Sequence, residues 1–220
     1  VDFVVVRELT GGIYFGEHIL KEDTARDIND YSAEEIRRIM HQAFKIARGR
    51  GKKVTSIDKQ NVLATSKLWR QVAEEVAKEF PDVTLEHQLV DSAAMIMITN
   101  PARFDVVVTE NLFGDILSDE SSVLPGTLGV MPSASHSDQG PSMYEPIHGS
   151  APDIAGQGIA NPISMILSVA MMLRDSFGET AGAEMIEEAV NQTLNQGILT
   201  RDLGGQASTA EMTAAIIGNL

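Results

Sequence analysis

The sequence contains no cysteine among its 220 residues. This absence excludes disulfide bonds, thiolate catalysis and sulfur-ligated metal sites. Nothing in the sequence demands an oxidising compartment, so we expect the protein to reside in the cytoplasm.

Basic residues are also few, with 17 Lys and Arg against 31 Asp and Glu, which gives a formal net charge of −14. Nucleic acids and anionic membrane surfaces attract basic patches, so we expect neither as a partner. A divalent cation fits this charge better. The longest apolar run, at 160–173, is interrupted by polar residues and is shorter than the roughly 20 residues that a bilayer crossing needs, so it predicts a buried helix.

Hydrophobic residues make up 43% of the chain, enough for a substantial core. Strand-like and helix-like segments alternate, which is typical of an α/β fold, and a loop-rich stretch after Gly126 indicates a domain boundary near that residue. The predicted strands are 4–6, 53–58, 83–90 and 104–109, with a turn and short strand at 11–16; the predicted helices are 32–51, 66–80, 91–98, 112–124, one beginning at Asn161 and Pro162, 179–196 and 208–220.

Two carboxylates in FGDILSDE, Asp115 and Asp119, are spaced four residues apart. On a helix they project from one face about 6 Å apart, a reasonable arrangement for binding Mg²⁺ or Mn²⁺. The spacing is equally typical of a solvated acidic face. Their position directly after a buried strand, where α/β sheets bind ligands, favours a site.

Four other residues allow two interpretations each. Asp91 follows a predicted strand and is either a third carboxylate ligand or a helix cap. Lys59 is either a surface lysine or a base with a lowered pKa in a cleft. Tyr14 is a strand aromatic or faces a cleft, and Arg7 is a surface charge or a clamp for a carboxylate.

The stretch GQGIAN, at 156–161, comes within one residue of the G-x-G-x-x-G pattern that binds dinucleotides. That pattern must follow a strand, whereas the preceding SAPDIA is not strand-like, so it fails as a Rossmann motif. The five histidines show no zinc-binding spacing.

Several long motifs in one order resemble the β-decarboxylating dehydrogenase family, which contains the isopropylmalate, isocitrate, tartrate and homoisocitrate dehydrogenases. These motifs are RELTGGIYFG, VTSIDKQNVL, FDVVVTENLFGDILSDE, MPSAS and HGSAPDIAGQGIANP. Within the family, RELTGGIYFG is similar to the isopropylmalate branch. The resemblance implies the family's two-domain α/β fold, which is not a Rossmann fold, with the amino-terminal part of the first domain missing.

The resemblance also implies roles for individual residues. Arg7 would bind a substrate carboxylate, and Tyr14 and Lys59 would form the acid/base pair. Lys59 and Asp91 would come from the partner subunit, so the active site would exist only in a homodimer. Asp91, Asp115 and Asp119 would hold Mg²⁺ or Mn²⁺, and the residues for NAD would be Asn61, Glu145, His148, Gly149, Ser150, Ala151, Asp153 and Asn161.

The implied activity is NAD-dependent oxidative decarboxylation of 3-isopropylmalate to 4-methyl-2-oxopentanoate in leucine biosynthesis. Asp153 favours NAD because a carboxylate accepts hydrogen bonds from ribose hydroxyls and repels the 2′-phosphate of NADP. Isocitrate or tartrate is the alternative substrate.

The chain begins inside a strand-like segment and is shorter than the family's chains at its amino terminus. We therefore expect residues 1–126 to be most of a substrate-binding and dimerisation domain, and 127–220 to be the carboxyl-terminal part of the NAD-binding domain. A chain that truly starts at Val1 is expected to show little or no turnover, and a dimerising fragment without catalysis is the alternative.

Overall fold

A computed structural model of the chain describes residues 1–137 and 139–220. The chain divides into two compact units, 1–121 and 122–220. The division falls a few residues before the boundary predicted near Gly126. The substrate and cofactor roles expected for the two parts stay predictions.

The structure is a mixed α/β protein, as the alternating pattern predicted. The strands are β1 Val4–Arg7, β2 His18–Leu20, β3 Ala25–Asp27, β4 Lys53–Asp58, β5 Thr84–Leu89, β6 Val106–Thr109, β7 Pro132–Ser135 and β8 Met143–Pro146. The helices are α1 Ala33–Arg48, α2 Ala64–Ala77, α3 Val90–Thr99, α4 Asn111–Ser121, α5 Ile163–Phe177, α6 Thr180–Asn195 and α7 Thr209–Gly218. Short 3₁₀ turns cover Gly12–Tyr14, Pro101–Arg103, Leu128–Val130, Pro152–Ile154 and Arg201–Leu203.

The first unit is built on a parallel sheet with the strand order β1-β6-β4-β5. All four residues of the central strand β6 are buried, as expected for a parallel strand covered on both faces. On one face, Phe44 of α1 and Trp69 of α2 pack with Val54 and Val106. On the other face, α3 and α4 pack around Ile57, Val107 and Leu117. The sheet is therefore the middle of three layers.

The second unit contains the antiparallel β7–β8 hairpin and the helices α5, α6 and α7. Its core joins Ile163, Val190, Met212 and Ile216 from the three helices. In residues 1–137 and 139–220, no helix has both the length and the apolar character needed to cross a bilayer.

The structure corrects two local predictions and adds two hairpins that the sequence did not predict. Residues 12–14 form a 3₁₀ turn and not a strand, because Gly12 has a φ of 79°. The β2–β3 and β7–β8 hairpins were missed because their short strands lack a buried, alternating face. Asp91 does not cap α3, which begins one residue earlier, at Val90; Asp91 lies in its first turn.

The helix predicted to begin with Asn161 as cap and Pro162 at its first position is present as α5, but it begins one residue later, at Ile163, with Pro162 at the cap position. The side-chain Oδ1 of Asn161 accepts a hydrogen bond from the backbone N–H of Ile163, 3.0 Å away, at the beginning of α5.

Ser56→Ala should lower the free energy of unfolding by about 1–3 kcal/mol, because the buried Nε1–H of Trp69 donates to Ser56 Oγ at 3.1 Å and would lose its acceptor. Trp69 is the only tryptophan, so its fluorescence during urea unfolding reports this core. Thr99→Ala, at an exposed position on α3, is the control and should change little. An equal effect of both substitutions would contradict the prediction.

Candidate active site

The four parallel strands of the first unit end at one edge of the sheet. Arg7 at the end of β1 lies beside Thr109 of β6, which also pairs with Ile57 of β4. Asp58 at the end of β4 lies beside Leu89 of β5. The polar residues that follow each strand therefore share the carboxyl edge, where ligands bind in parallel α/β sheets.

Arg7 is the centre of a polar cluster at this edge. Its Nη1 donates to Asp115 Oδ1 at 2.5 Å, and its Nε and Nη2 donate to Asn111 Oδ1 at 3.0 and 2.8 Å. Asn111 and Asp115 are four residues apart on α4, so they present both acceptors from one helix face. The structure thus brings the predicted Arg7 and Asp115 together.

Tyr14 joins the same cluster. Its hydroxyl donates to Asp115 Oδ2 at 2.9 Å, and the Arg7 guanidinium lies 5.6 Å from the centre of its ring. The hydrogen bond to the Asp115 carboxylate, followed by burial, raises the pKa of Tyr14 above its usual value. Tyr14 therefore holds its proton at neutral pH, and its ring is half-exposed.

Asn111 was not predicted from the sequence, although its hydrogen bonds connect Arg7 to the rest of the unit. Its Nδ2 donates to the carbonyl of Gly11 at 3.2 Å, and its backbone N–H donates to the hydroxyl of Tyr31 at 3.0 Å. Tyr31 in turn donates to Glu110, whose carboxylate accepts from the first backbone N–H groups of α4. Burial raises the pKa of Glu110. An asparagine at the first position of α4 offered no distinctive spacing.

A second buried carboxylate, Glu8, holds the loop before Tyr14. It accepts hydrogen bonds from the backbone N–H groups of Thr10 and Gly11 at 3.0 and 2.8 Å, and from Arg38 of α1 at 2.9 Å. Glu8 is 2% exposed, so these bonds offset its desolvation. The loop from β1 to Tyr14 is thereby tied to the body of the unit.

Lys59 and Asp91 form a second cluster on the same edge. Lys59 Nζ lies 2.9 Å from Asp91 Oδ2, and the hydrogen bond from Lys59 lowers the pKa of Asp91. The turn that carries Lys59 is held by Ser66 Oγ, which accepts from the Lys59 N–H at 3.0 Å. It is also held by the buried Asp58, which accepts from Arg70 at 2.9 Å.

The expected metal ligands do not assemble in a single chain. Over the described ranges, 1–137 and 139–220, no three His, Asp or Glu side chains come together as a metal site. Asp115 and Asp119 lie on adjacent turns of α4, and Asp91 lies in the other cluster. Carboxylate oxygens are the donors that Mg²⁺ and Mn²⁺ prefer, so Asp115 and Asp119 suit such an ion. A centre completed by Asp91 of a second subunit stays a prediction.

The residues expected to bind NAD lie in the second unit, except for Asn61. Asn61 is exposed in the turn after β4. Glu145 lies on β8, and the loop that follows reaches Asn161. His148 is partly buried and Asn161 is 8% exposed. The remaining residues of this group are exposed, namely Glu145, Gly149, Ser150, Ala151 and Asp153.

The backbone of this loop is suited to close contact with a ligand. Ala151 has a left-handed φ of 44°, which costs a non-glycine residue on the order of 1 kcal/mol. Gly149 has open space where a side chain would stand, and His148 Nδ1 donates to its carbonyl at 2.9 Å. Strained, exposed backbone of this kind fits a cofactor loop.

The fold and the first cluster define a parallel α/β protein with an arginine, tyrosine and carboxylate site at the carboxyl edge of its sheet. A family model described as isocitrate/isopropylmalate dehydrogenase matches residues 1–216. The chain belongs to this family.

Relatives and solved structures agree with this family. The 3-isopropylmalate dehydrogenases of Streptococcus thermophilus and Streptococcus mutans are 90% and 87% identical over 220 residues, which is all of this chain and 64% of each relative. The crystal structure of isocitrate dehydrogenase from Methylococcus capsulatus matches with a TM-score of 0.90 and 41% identity, over 99% of this chain and 66% of that one. The chain therefore spans under two thirds of the length of these curated relatives.

Gly114→Ala should displace Arg7 from Asn111 and Asp115. A Cβ at Gly114 would lie 2.6 Å from Arg7 Cγ and 2.9 Å from Arg7 Cβ, so the stem of the arginine must move. We expect a loss of about 1–3 kcal/mol in the free energy of unfolding and a shift of the Arg7 Nε–H NMR signal.

Gly182→Ala is the matched control, because Gly182 also lies near the start of a helix and a Cβ there meets only Leu173 at 3.6 Å. It should change the free energy of unfolding by less than about 1 kcal/mol. An unmoved Arg7 signal in Gly114→Ala would show that the packing argument is wrong.

Proposed function

We propose that the protein catalyses NAD-dependent and Mg²⁺- or Mn²⁺-dependent oxidative decarboxylation of 3-isopropylmalate to 4-methyl-2-oxopentanoate, in the cytoplasm and as a step of leucine biosynthesis. The observation that carries this proposal is the cluster of Arg7, Tyr14 and Asp115 at the carboxyl edge of the sheet. The 90% identity to an enzyme named for this substrate supports it.

Arg7 has the capacity to bind a substrate carboxylate. Its three described hydrogen bonds, to Asn111 and Asp115, use three of the five N–H groups of the guanidinium. One hydrogen on each Nη remains for a carboxylate, which suits a bidentate contact. Because Asn111 and Asp115 fix the plane of the guanidinium, the substrate would meet it in one orientation.

Two side chains are suited to move protons. Tyr14 keeps its proton at neutral pH, so it can donate that proton to carbon after carbon dioxide leaves. Lys59 would take the proton of the substrate hydroxyl, which requires a neutral amine. Because Lys59 Nζ lies 2.9 Å from Asp91 Oδ2, the substrate would have to separate this pair.

Asp115 and Asp119 of one chain, with Asp91 of a second, would hold the divalent ion. When bound, such an ion supplies Lewis-acid stabilisation of negative charge on the substrate oxygens. Asp153 would accept hydrogen bonds from the ribose of NAD in the loop that also contains His148, Gly149 and Ala151.

The activity test uses the protein in the full length that its gene encodes. With Mg²⁺ and NAD⁺, 3-isopropylmalate should give NADH with a kcat/KM at least about 100-fold above that for isocitrate or tartrate. NADP⁺ should be the poorer cofactor, and EDTA should abolish turnover. Isocitrate is the relevant competitor because the Methylococcus structure is an isocitrate dehydrogenase. Turnover of isocitrate alone would refute the proposed substrate.

We also propose a homodimer with shared active sites, which subunit mixing can test. Lys59→Met and Asp115→Asn should each abolish turnover when expressed alone. In a random mixture, half of the dimers are hybrids with one intact site of two, so about 25% of wild-type activity should return. Mixing Asp115→Asn with Arg7→Met is the control, since both substitutions fall in one cluster and no intact site can form. Equal activities in the two mixtures would refute the shared site.

A further inference from the structure

Asp202, in the 3₁₀ turn before α7, connects three segments of the second unit. Its Oδ2 accepts hydrogen bonds from Thr127 Oγ1 at 2.7 Å and Asn161 Nδ2 at 3.0 Å. Its Oδ1 accepts from Thr200 Oγ1 at 2.6 Å. Gly129 packs directly against this group, because a Cβ there would lie 2.6 Å from Asp202 Oδ2. One carboxylate thus joins residues distant in sequence.

The contact with Asp202 decides how the amide of Asn161 is oriented. Asn161 Oδ1 accepts from the N–H of Ile163 while Nδ2 donates to Asp202. Rotating the amide by half a turn would place its oxygen against the carboxylate and its NH₂ against the N–H of Ile163. An ionised Asp202 therefore permits only one orientation, and one Nδ2 hydrogen remains for a ligand.

Asp202 remains ionised in this setting. Burial opposes its charge, but the hydrogen bonds from Thr200, Asn161 and Thr127 more than compensate and lower its pKa. The carboxylate is therefore a pure acceptor at neutral pH.

The segment at 200–209 also holds the 145–161 loop at a second point. Thr209, the first residue of α7, donates its N–H to the carbonyl of Gly158 at 2.8 Å and its Oγ1 to the carbonyl of Ala160 at 2.6 Å. Residues 200–209 therefore hold the end of the 145–161 loop through Asn161, Ala160 and Gly158.

We infer that Asp202 is a positioning residue of the cofactor site, which holds the amide of Asn161 in the one orientation that binds the cofactor. This inference rests on the proposed function, since the cofactor role of Asn161 belongs to it. Asp202 itself is not a catalytic residue, because its described side-chain hydrogen bonds are all with Thr127, Asn161 and Thr200.

The test compares Asp202→Asn with Glu187→Gln. Asparagine keeps the size of Asp202 but can donate as well as accept, so it no longer selects one orientation of Asn161. Glu187→Gln is the control, because it also neutralises a paired carboxylate of the same unit: Glu187 on α6 forms an ion pair with Arg174 on α5. Asp202→Asn should raise the Kd for NAD about tenfold by titration calorimetry. Glu187→Gln should leave the Kd unchanged.

A second measurement needs no cofactor. In the ligand-free protein, hydrogen exchange of the backbone amides at 156–163 should be at least about tenfold faster in Asp202→Asn than in the wild type, and unchanged in Glu187→Gln. The effect on the Kd should also disappear in an Asn161→Ala background, because Asp202 acts through Asn161.

The outcomes separate the inference from the proposed function. Failure of the wild-type protein to bind NAD would overturn the proposed function, and with it the cofactor role of Asp202. Equal hydrogen exchange in the two variants would overturn the positioning role whether or not NAD binds. Additive effects of Asp202→Asn and Asn161→Ala on the Kd would show that Asp202 does not act through Asn161.

Discussion

The parallel pairing of β1 with β6 is the constraint on which the candidate active site depends. This register sets Arg7 beside Thr109 and so brings the end of β1 to the start of α4, where Asn111 and Asp115 accept from its guanidinium. A shift of one residue would turn Arg7 to the other face of the sheet. Val6 of β1 excludes such a shift, because it packs in the hydrophobic core on one face of the sheet and would leave that core. The hydrophobic core therefore fixes the polar site.

The sequence predicted the parts of this arrangement that depend on local pattern. Buried β-branched runs identified β1, β4 and β6, and spacing identified the pair Asp115 and Asp119. The roles of Asn111 and Asp202 were not predicted, because each depends on contacts between residues far apart in the sequence, such as the one between Asp202 and Thr127. No local pattern encodes such contacts. The hairpins were not predicted for a different reason: their strands have only three or four partly exposed residues, which show little periodicity.

The two units hold their candidate sites by the same physical means. In the first unit the buried Glu8 gathers backbone and arginine donors and fixes the loop that leads to Tyr14. In the second unit Asp202 gathers hydroxyl and amide donors and fixes the end of the 145–161 loop. An ionised carboxylate suits this task because it accepts several hydrogen bonds and donates none. Each loop is thereby tied to one carboxylate that accepts several hydrogen bonds.

Polar groups that only support the structure differ from groups that can bind a ligand in how many hydrogen-bond donors or acceptors they have left unpaired. Glu8 is almost completely buried and accepts from both Thr10 and Gly11 as well as Arg38, so it has no face for a ligand. Arg7 is partly exposed and keeps two N–H groups beyond its described partners. Asn161 is intermediate, since it is nearly buried and keeps one amide hydrogen. A group that is held firmly yet incompletely satisfied gains most from a ligand, because the ligand pairs a donor whose orientation is already fixed.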